Sequence, residues 1–386
     1  MKSFKYWLQE STLNEKKLTD KEIDEILKKL RAEDEAELEH MKESYFADDE
    51  ETTYLSEEEE KIKKASSDTK GKLHEILTGY HLNGGKHMEK HPDKNGDSPS
   101  EAHTKLKSSI HPTEYKKIHD RAKSAANDIK KKVETEGHKV HSVHWTSQPN
   151  DLLRTTGIKA TQKEDSSDVV VSTHKKVGRK TEVKHHGVSL KVTDSGSKHV
   201  PTSNLGIKSL GPKAQSHHDE HRRAILKKFP KLVTHATNAS QRKEMQTKDP
   251  KIKEFVHKKN TETLHKIAGD LHHHLTNGPK DKLVHHVREV IHAHATPMQR
   301  EGHNHLRHVS YTAGKKEGGG FKHDSIDPSK HHEHILNNPN HITVEHHGTS
   351  LHFKHKGKTF ARHAIKFSSQ SDPLSSVKSS GQTAGD

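Results

Sequence analysis

The spacing of apolar positions predicts a helix over residues 68–82. Leu73, Ile76, Leu77 and Tyr80 recur at helical spacing in "DTKGKLHEILTGYHL". Asp68 stands at the start of this segment, where an aspartate can cap a helix. Residues 99–135 and 218–300 show the same kind of period, so we expect one or two helices in the former range and several in the latter.

Strand-like patterns lie in two other parts of the chain. "DVVV" at 168–171 and "GVSLKV" at 187–192 face each other across a basic turn and predict a hairpin. Residues 138–145 have a strand-like composition. Residues 341–367 predict three antiparallel strands with turns at His347-Gly348 and Lys356-Gly357, whereas residues 195–215 read as a loop.

These elements predict an α/β (α+β) fold in which helices flank a mixed sheet. Five segments follow from the pattern. We expect an acidic N-terminal arm, disordered or helical, at 1–60; an α/β core at 68–210; a His- and Lys-rich helical segment at 218–310; a small C-terminal β meander at 330–370; and a flexible tail at 371–386.

Composition limits how much of the chain can fold. Of 386 residues, 27% are hydrophobic, 31% charged and 4% aromatic, so we expect one modest core with long soluble arms. The absence of cysteine excludes disulfides, thiolate metal sites and cysteine nucleophiles. No apolar run approaches the roughly 20 residues of a membrane span, so we expect no membrane partner.

The charge is unevenly distributed. Residues 1–60 contain 9 lysines and arginines against 20 acidic residues, a net charge of −11, and the whole chain carries +13. Residues 61–386 therefore carry +24. A body this basic predicts a polyanionic partner, and DNA is the one we expect. The acidic arm could screen the basic body until it is displaced or removed.

The predicted hairpin brings polar groups together. In a strand, residues two apart share a face, so Ser189 and Lys191 point away from the apolar side. Asp168 begins the partner strand, and Glu75 lies on the helix of 68–82. Two carboxylates and a lysine in this arrangement can hold a divalent metal and a phosphate.

This order of helix glutamate, strand aspartate and x-Lys strand resembles the PD-(D/E)xK nuclease superfamily. The resemblance implies a nuclease-like core and Mg²⁺-dependent hydrolysis of phosphodiesters in DNA. It implies that Glu75 and Asp168 bind the metal, and that Lys191 orients water and stabilises charge. Ser189 departs from the pattern, because the family most often has an acid there; we interpret it as an accessory polar group.

A second placement of the motif remains open. "EVK" supplies Glu182 and Lys184, with the expected acid before x-Lys, but in a polar stretch nearer the turn. Phosphate contacts are predicted from basic residues at the cleft and in the C-terminal strands and tail: Arg154, Lys198, Arg362, Lys366 and Lys378.

The N-terminal "MKSFKYWLQE" resembles the capsid-targeting peptides of large tailed bacteriophages, the myoviruses. The resemblance implies a protein of the virion interior or the infected bacterial cytoplasm, with capsid proteins and a prohead protease as partners. Such a protease is expected to cut after Glu10, Glu25 and Glu57, each in a Leu/Ile-x-Glu context.

The 41 histidines show no HExxH frame of a zinc enzyme. We interpret them as titratable charge that strengthens DNA binding as the pH falls. Two other functions remain open for this composition. One is a non-catalytic internal head protein that neutralises packaged DNA, and the other is a structural virion component that binds capsid proteins.

Overall fold

The computed structural model describes residues 17–41, 66–89, 96–146, 150–160, 164–193, 199–312 and 320–384. The helices are α1 (Asp20–Met41), α2 (Ser67–Leu82), α3 (Pro99–Ser108), α4 (Pro112–Val133), α5 (Asp151–Thr156), α6 (Ala214–Lys228), α7 (Lys231–Thr234), α8 (Ala239–Lys248), α9 (Pro250–Asn277), α10 (Lys280–Val290), α11 (Pro297–Arg300), α12 (Pro328–His331) and α13 (Glu333–Leu336). The strands are β1 (Lys139–Trp145), β2 (Val169–Val177), β3 (Lys180–Thr193), β4 (His199–Gly206), β5 (Asn304–Thr312), β6 (Phe321–Ile326), β7 (Ile342–His347), β8 (Ser350–His355), β9 (Lys358–Phe367) and β10 (Val377–Ala384).

The chain divides into two compact units, and each is built from separate stretches of sequence. Unit 1 combines residues 1–40, 202–291 and 335–382, and unit 2 combines 41–201, 292–334 and 383–386. This division differs from the predicted one. The helical segment after residue 214 and the C-terminal strands belong to the same unit, because they pack on each other.

Unit 2 contains a mixed sheet in the order β1-β2-β3-β5-β6. The β1/β2, β2/β3 and β5/β6 pairs are antiparallel, and β3/β5 is parallel. Helices and this sheet together confirm the mixed α/β class. Strands β5 and β6 were not predicted, because the polar/apolar alternation of β5 covers only His305, Leu306 and Arg307 before His308 interrupts it.

The two faces of the mixed sheet differ in chemistry. Val169, Val171, Val188 and Leu190 are buried on one face, where they form a core with Ile129 of α4 and its neighbours. Alternation within a strand then places the intervening residues on the opposite face. That opposite face carries polar side chains of β2 and β3 beside one apolar cluster of Leu152, Val170 and Met298. We call it the polar face.

Helix α2 begins one residue earlier than predicted. Its N-cap is Ser66, whose side chain accepts a hydrogen bond from Thr69 N at 3.1 Å, and not Asp68 as predicted. Asp68 lies in the first turn and pairs with Lys72 at 3.0 Å. An acid in that position complements the positive end of the helix dipole.

Unit 1 contains most of a second sheet in the order β4-β10-β9-β8-β7. The three antiparallel strands β7, β8 and β9 lie where the sequence predicts them. Two expectations were wrong: β4 lies within the predicted loop of 195–215, and β10 lies within the predicted flexible tail. Both strands are rich in serine, threonine or glycine, so their pairing depends on neighbouring strands and not on local propensity.

Helix α1 belongs to the core of unit 1, which corrects the expectation of a separate acidic arm over its length. Ile23, Leu27 and Leu30 are 0%, 2% and 5% exposed. They pack in one cluster with Ile225 and Leu226 of α6. The helix therefore contributes an apolar stripe that unit 1 needs for its own core.

The acidic side of α1 pairs with basic residues of α6. Arg222 is buried and donates to both carboxylate oxygens of Asp34, at 2.7 and 2.8 Å. Arg223 donates to Asp24 at 2.5 Å. The bidentate contact of Arg222 attracts α1 and also fixes its orientation.

Within the described ranges, no helix is both long and apolar enough to cross a membrane.

Replacing Leu27 by alanine should destabilise unit 1 by about 2–4 kcal/mol, because it removes buried methyl groups and leaves a cavity between α1 and α6. Urea unfolding of the full chain measures this change. Lys28→Ala, at an exposed position of the same helix, is the control and should cost less than about 0.5 kcal/mol. Equal effects of the two substitutions would contradict the packing of α1.

Candidate functional site

The pairing of β2 with β3 positions Asp168. Val169 aligns with Val188, so Asp168 lies opposite Ser189 at the beginning of β2. Asp168 N donates to Val188 O at 2.9 Å, and Leu190 N donates to Asp168 Oδ2 at 2.6 Å. Two backbone hydrogen bonds thus hold this residue against β3.

Lys191 completes a buried ion pair on the same face. Its Nζ lies 3.6 Å from Asp168 Oδ2, and the two side chains are 7% and 19% exposed. The lysine is two residues beyond Ser189, so strand alternation brings it diagonally across from Asp168. The structure therefore brings together the aspartate and the lysine that the sequence singles out.

Glu75 of α2 approaches this pair from the helix-covered side. Trp145 Nε1 donates to Glu75 Oε2 at 3.0 Å, so the indole at the end of β1 orients the carboxyl. Burial, followed by the negative charge of Asp168, raises the pKa of Glu75 to about 8. Burial also raises the pKa of Asp168, against the opposing charge of Lys191. Two carboxyls with raised pKa values are suited to losing protons to a cation.

Ser189 lies between these groups with its hydroxyl unused. The residue is 2% exposed, and its Oγ makes no hydrogen bond to any described residue. A buried hydroxyl without a partner costs about 1–3 kcal/mol. It is therefore a place where a water molecule or a ligand oxygen would be stabilised.

Strand β5 adds residues that the sequence did not indicate. Arg307 pairs with Ser189 in the parallel β3/β5 register, and His305 pairs with Gly187. Both are almost fully buried. Burial and the charges of Arg307, His305 and Lys191 lower the pKa of His292 to about 3, so His292 is neutral near Arg307 and Lys191. The missed signal was the alternation of polar residues at 305 and 307, which is typical of a strand with one polar face.

Gly187 permits a close contact on the polar face. A Cβ at this position would lie 2.1 Å from Ser167 Oγ and 3.2 Å from His305 Cδ2. Ser167 N donates to Asp165 Oδ1 at 3.1 Å, and His305 Nε2 lies 3.8 Å from the same oxygen. The glycine therefore lets a third carboxylate, that of the buried Asp165, lie beside the candidate site.

The alternative pair lies elsewhere on β3. Glu182 and Lys184 align with Lys175 and Thr173, and the Glu182 side chain is 55% exposed. Lys184 is five residues from Ser189, or roughly 17 Å along the strand. The structure does not bring this pair to Asp168.

The predicted DNA-contact residues are dispersed. Arg154 of α5 lies in unit 2 and pairs with Asp151 at 3.1 Å. Arg362, Lys366 and Lys378 lie on β9 and β10 of unit 1. Lys198 lies outside the described residues, as do two of the predicted cleavage positions, Glu10 and Glu57.

The carboxyl groups of Glu75 and Asp168 suit a cation that takes few of its ligands from the protein. Among the described residues, no three histidine, aspartate or glutamate side chains converge as a metal cluster. Mg²⁺ is commonly held by one or two carboxylates, with water and substrate phosphate filling the other positions. Glu75 and Asp168 fit that requirement, whereas a zinc site would need more protein ligands.

The free energy of unfolding of the Glu75→Gln variant should increase relative to that of wild type as the pH rises from 5 to 8. A carboxyl whose folded-state pKa is raised holds its proton while the unfolded chain has lost it, so stability falls with pH between about 4.5 and 8. Glutamine removes this term and keeps an oxygen for Trp145. Urea unfolding at pH 5 and at pH 8 should show that the difference in free energy of unfolding between the variant and wild type increases by about 1–3 kcal/mol. The exposed Glu182→Gln is the control, and a constant difference for Glu75→Gln would contradict the prediction.

Comparisons with known proteins provide no family for this chain. No protein-family model matches the sequence, no curated protein is significantly similar to it, and no solved structure significantly matches its fold.

Proposed function

We propose that this protein is a Mg²⁺-dependent nuclease that hydrolyses phosphodiester bonds in DNA. One observation carries the proposal. Asp168 Oδ2, at the beginning of β2, and Lys191 Nζ of β3 lie 3.6 Å apart, and the charge of Asp168 acts on Glu75 of a flanking helix and raises its pKa. An acid pair next to a lysine is a combination that metal-assisted phosphodiester hydrolysis uses.

Each residue has a distinct role in the proposal. Glu75 and Asp168 hold Mg²⁺, which when bound polarises a phosphoryl oxygen and lowers the pKa of a water molecule. The ammonium of Lys191 orients the attacking water and stabilises the charge that builds on phosphorus. The unused hydroxyl of Ser189 accepts or donates a hydrogen bond within the same site. The resemblance to the PD-(D/E)xK superfamily supports these roles.

A second candidate function has its own support. Lys191 is only 7% exposed, and no three-residue metal cluster occurs among the described residues. Both observations favour a non-catalytic protein that binds DNA through its basic charge and retains the Asp168–Lys191 pair as a structural contact. A buried ion pair of this kind can orient strands without any role in chemistry.

Plasmid cleavage by the full chain separates the two functions. The full chain is required because α1 packs in the core of unit 1. Wild type should nick supercoiled DNA with Mg²⁺ and not with a chelator, and Asp168→Asn and Lys191→Met should each reduce the rate by about 100-fold or more. Circular dichroism checks that the variants fold.

The matched control is Glu182→Gln with Lys184→Met, on the same strand. This variant should keep the wild-type rate. Loss of cleavage in the control alone would assign the chemistry to the alternative pair. DNA binding without cleavage in wild type would favour the non-catalytic function.

The proposed setting is the head of a tailed bacteriophage, where a prohead protease removes the N-terminal segment and capsid proteins are neighbours. The resemblance of residues 1–10 to capsid-targeting peptides supports it. Of the predicted cleavage positions, Glu25 lies on α1 between the buried Ile23 and Leu27. Cleavage there requires an extended chain and therefore unfolding of α1.

We therefore expect cleavage in particles after Glu10 or Glu57 and not after Glu25, with α1 retained on unit 1 through its packing on α6 when the chain is cut after Glu57. Mass spectrometry of the N-terminal peptide measures this. The chain expressed without phage proteins is the control and should keep Met1 or Lys2 at its start. An N-terminus in particles that is identical to the control would contradict processing.

A further inference from the structure

The polar face of the mixed sheet carries a group of five histidines between the candidate site and the β2/β3 turn. They come from β1, β2, β3 and the residue before β5. We call this group the histidine face, and its members are His141, His144, His174, His185 and His303. None of the five was part of the candidate site.

Ring contacts join four of these histidines in two pairs. The rings of His141 and His174 stack with centroids 3.8 Å apart, and those of His185 and His303 meet edge to face at 4.8 Å. Ser172 bonds His185 Nδ1 at 2.9 Å and lies between the two pairs on β2. His141 is exposed and the other four are half-buried, so solvent reaches the group.

The histidine face adjoins a basic cleft. This cleft of about 590 Å³ lies between the end of α5 and the segment after α11, and its charged lining is Lys159, Arg300 and Glu301, together with His303. His303 therefore belongs to both features. Lys159 and Arg300 are exposed, and the cleft has a net positive charge before any histidine is protonated.

Lys184 and the cleft residues Lys159 and Arg300 bring positive charge to the histidine face. Burial is the main cause that lowers the pKa values of His174, His185 and His303. Neighbouring histidines lower the pKa further at His174 and His185, whereas at His303 Lys184 lowers it and Glu301 raises it. The charged and titratable groups that act on these three rings are His141, His144, Lys184 and Glu301, and each other. Glu301 is the one acid among them. A polyanion on this surface would supply the missing negative charge.

We propose that the histidine face and the basic cleft form one docking surface for the phosphate backbone of duplex DNA, and that binding there tightens as the pH falls from about 8 to about 6. The choice of DNA rests on the proposed function. Protonated imidazoles bind phosphate as ion pairs, and the phosphates in turn favour the protonated form.

The position of this surface fits a long substrate. His185 and Lys191 point to the same face of β3 and are six residues apart, or roughly 20 Å. Duplex DNA rises about 3.4 Å along its axis for each nucleotide of a strand, so a duplex that lies on the histidine face would reach the candidate site after about six base pairs. The surface would therefore hold the duplex while Asp168 and Lys191 meet one phosphate.

The test measures DNA binding by a variant that is not expected to cleave DNA. A labelled duplex of about 20 base pairs is titrated with full-length Asp168→Asn protein at pH 6 and pH 8, by fluorescence anisotropy. We expect binding at least about tenfold tighter at pH 6. His174→Gln with His185→Gln should reduce that ratio to about threefold or less. Arg300→Gln should weaken binding at both pH values and lower the salt slope by about one.

The control is a histidine pair in unit 1. The rings of His347 and His352 also stack, with centroids 4.4 Å apart, but His347 Nε2 lies 3.0 Å from Glu345 Oε2. His347→Gln with His352→Gln should leave the pH dependence unchanged. Equal losses in the two double variants would overturn the proposal, because the effect would then come from total charge.

Failure of the two proposals can be distinguished. A pH-dependent affinity that requires His174 and His185, without cleavage by wild type, would retain the docking surface and remove the nuclease. Cleavage that needs Asp168, with DNA affinity independent of pH and of the histidine face, would do the reverse. Absence of DNA binding at pH 6 would overturn the docking surface.

Discussion

The register of β2 against β3 determines the chemistry of unit 2. Because side chains alternate with a period of two, a slip of one residue would move Ser189 and Lys191 into the helix-packed core and expose the valines. Burial of Val169, Val171 and Val188 makes that slip costly. The same register determines which residues of β5 reach the candidate site, because the parallel pairing of β5 with β3 places Arg307 beside Ser189. A few apolar side chains thus fix the position of every polar group on the opposite face.

Neutral histidines supply core volume that apolar residues would normally provide. In unit 2, His308 is fully buried, its Nδ1 bonds Ser325 Oγ at 2.8 Å, and burial is the main cause that lowers its pKa to about 3. In unit 1, His286 and His363 bond each other at 3.1 Å and are both buried. An uncharged imidazole that is hydrogen-bonded avoids most of the cost of burying a polar group. A chain with 27% hydrophobic residues can therefore build two units.

The predictable parts are those whose signal is local. The β2/β3 hairpin, the β7–β9 strands and the helices before residue 135 follow from periodicity and turn residues, and so do Asp168 and Lys191 as neighbours. Strands β5 and β10 were missed because buried serine, histidine and arginine carry no hydrophobic pattern. Arg307 and His305 were missed with them. Helix α1 was taken for part of an arm because its composition is acidic, although its Ile/Leu stripe is buried. The distant partners that satisfy these groups are not visible in a single sequence.

The discontinuity of both units has a consequence for how the protein is made. Strand β3 cannot pair with β5 until more than a hundred further residues have been synthesised, and those residues contain most of the unit 1 helices. Unit 1 in turn joins α1 from the beginning of the chain to strands from its end. Pairings this distant form slowly, because loop closure precedes any gain from contact. During translation, the polar face of β3 and the apolar side of α1 therefore stay without their partners until those later segments have been synthesised. In this period a chaperone or an early-binding partner would have most influence on the yield of folded protein.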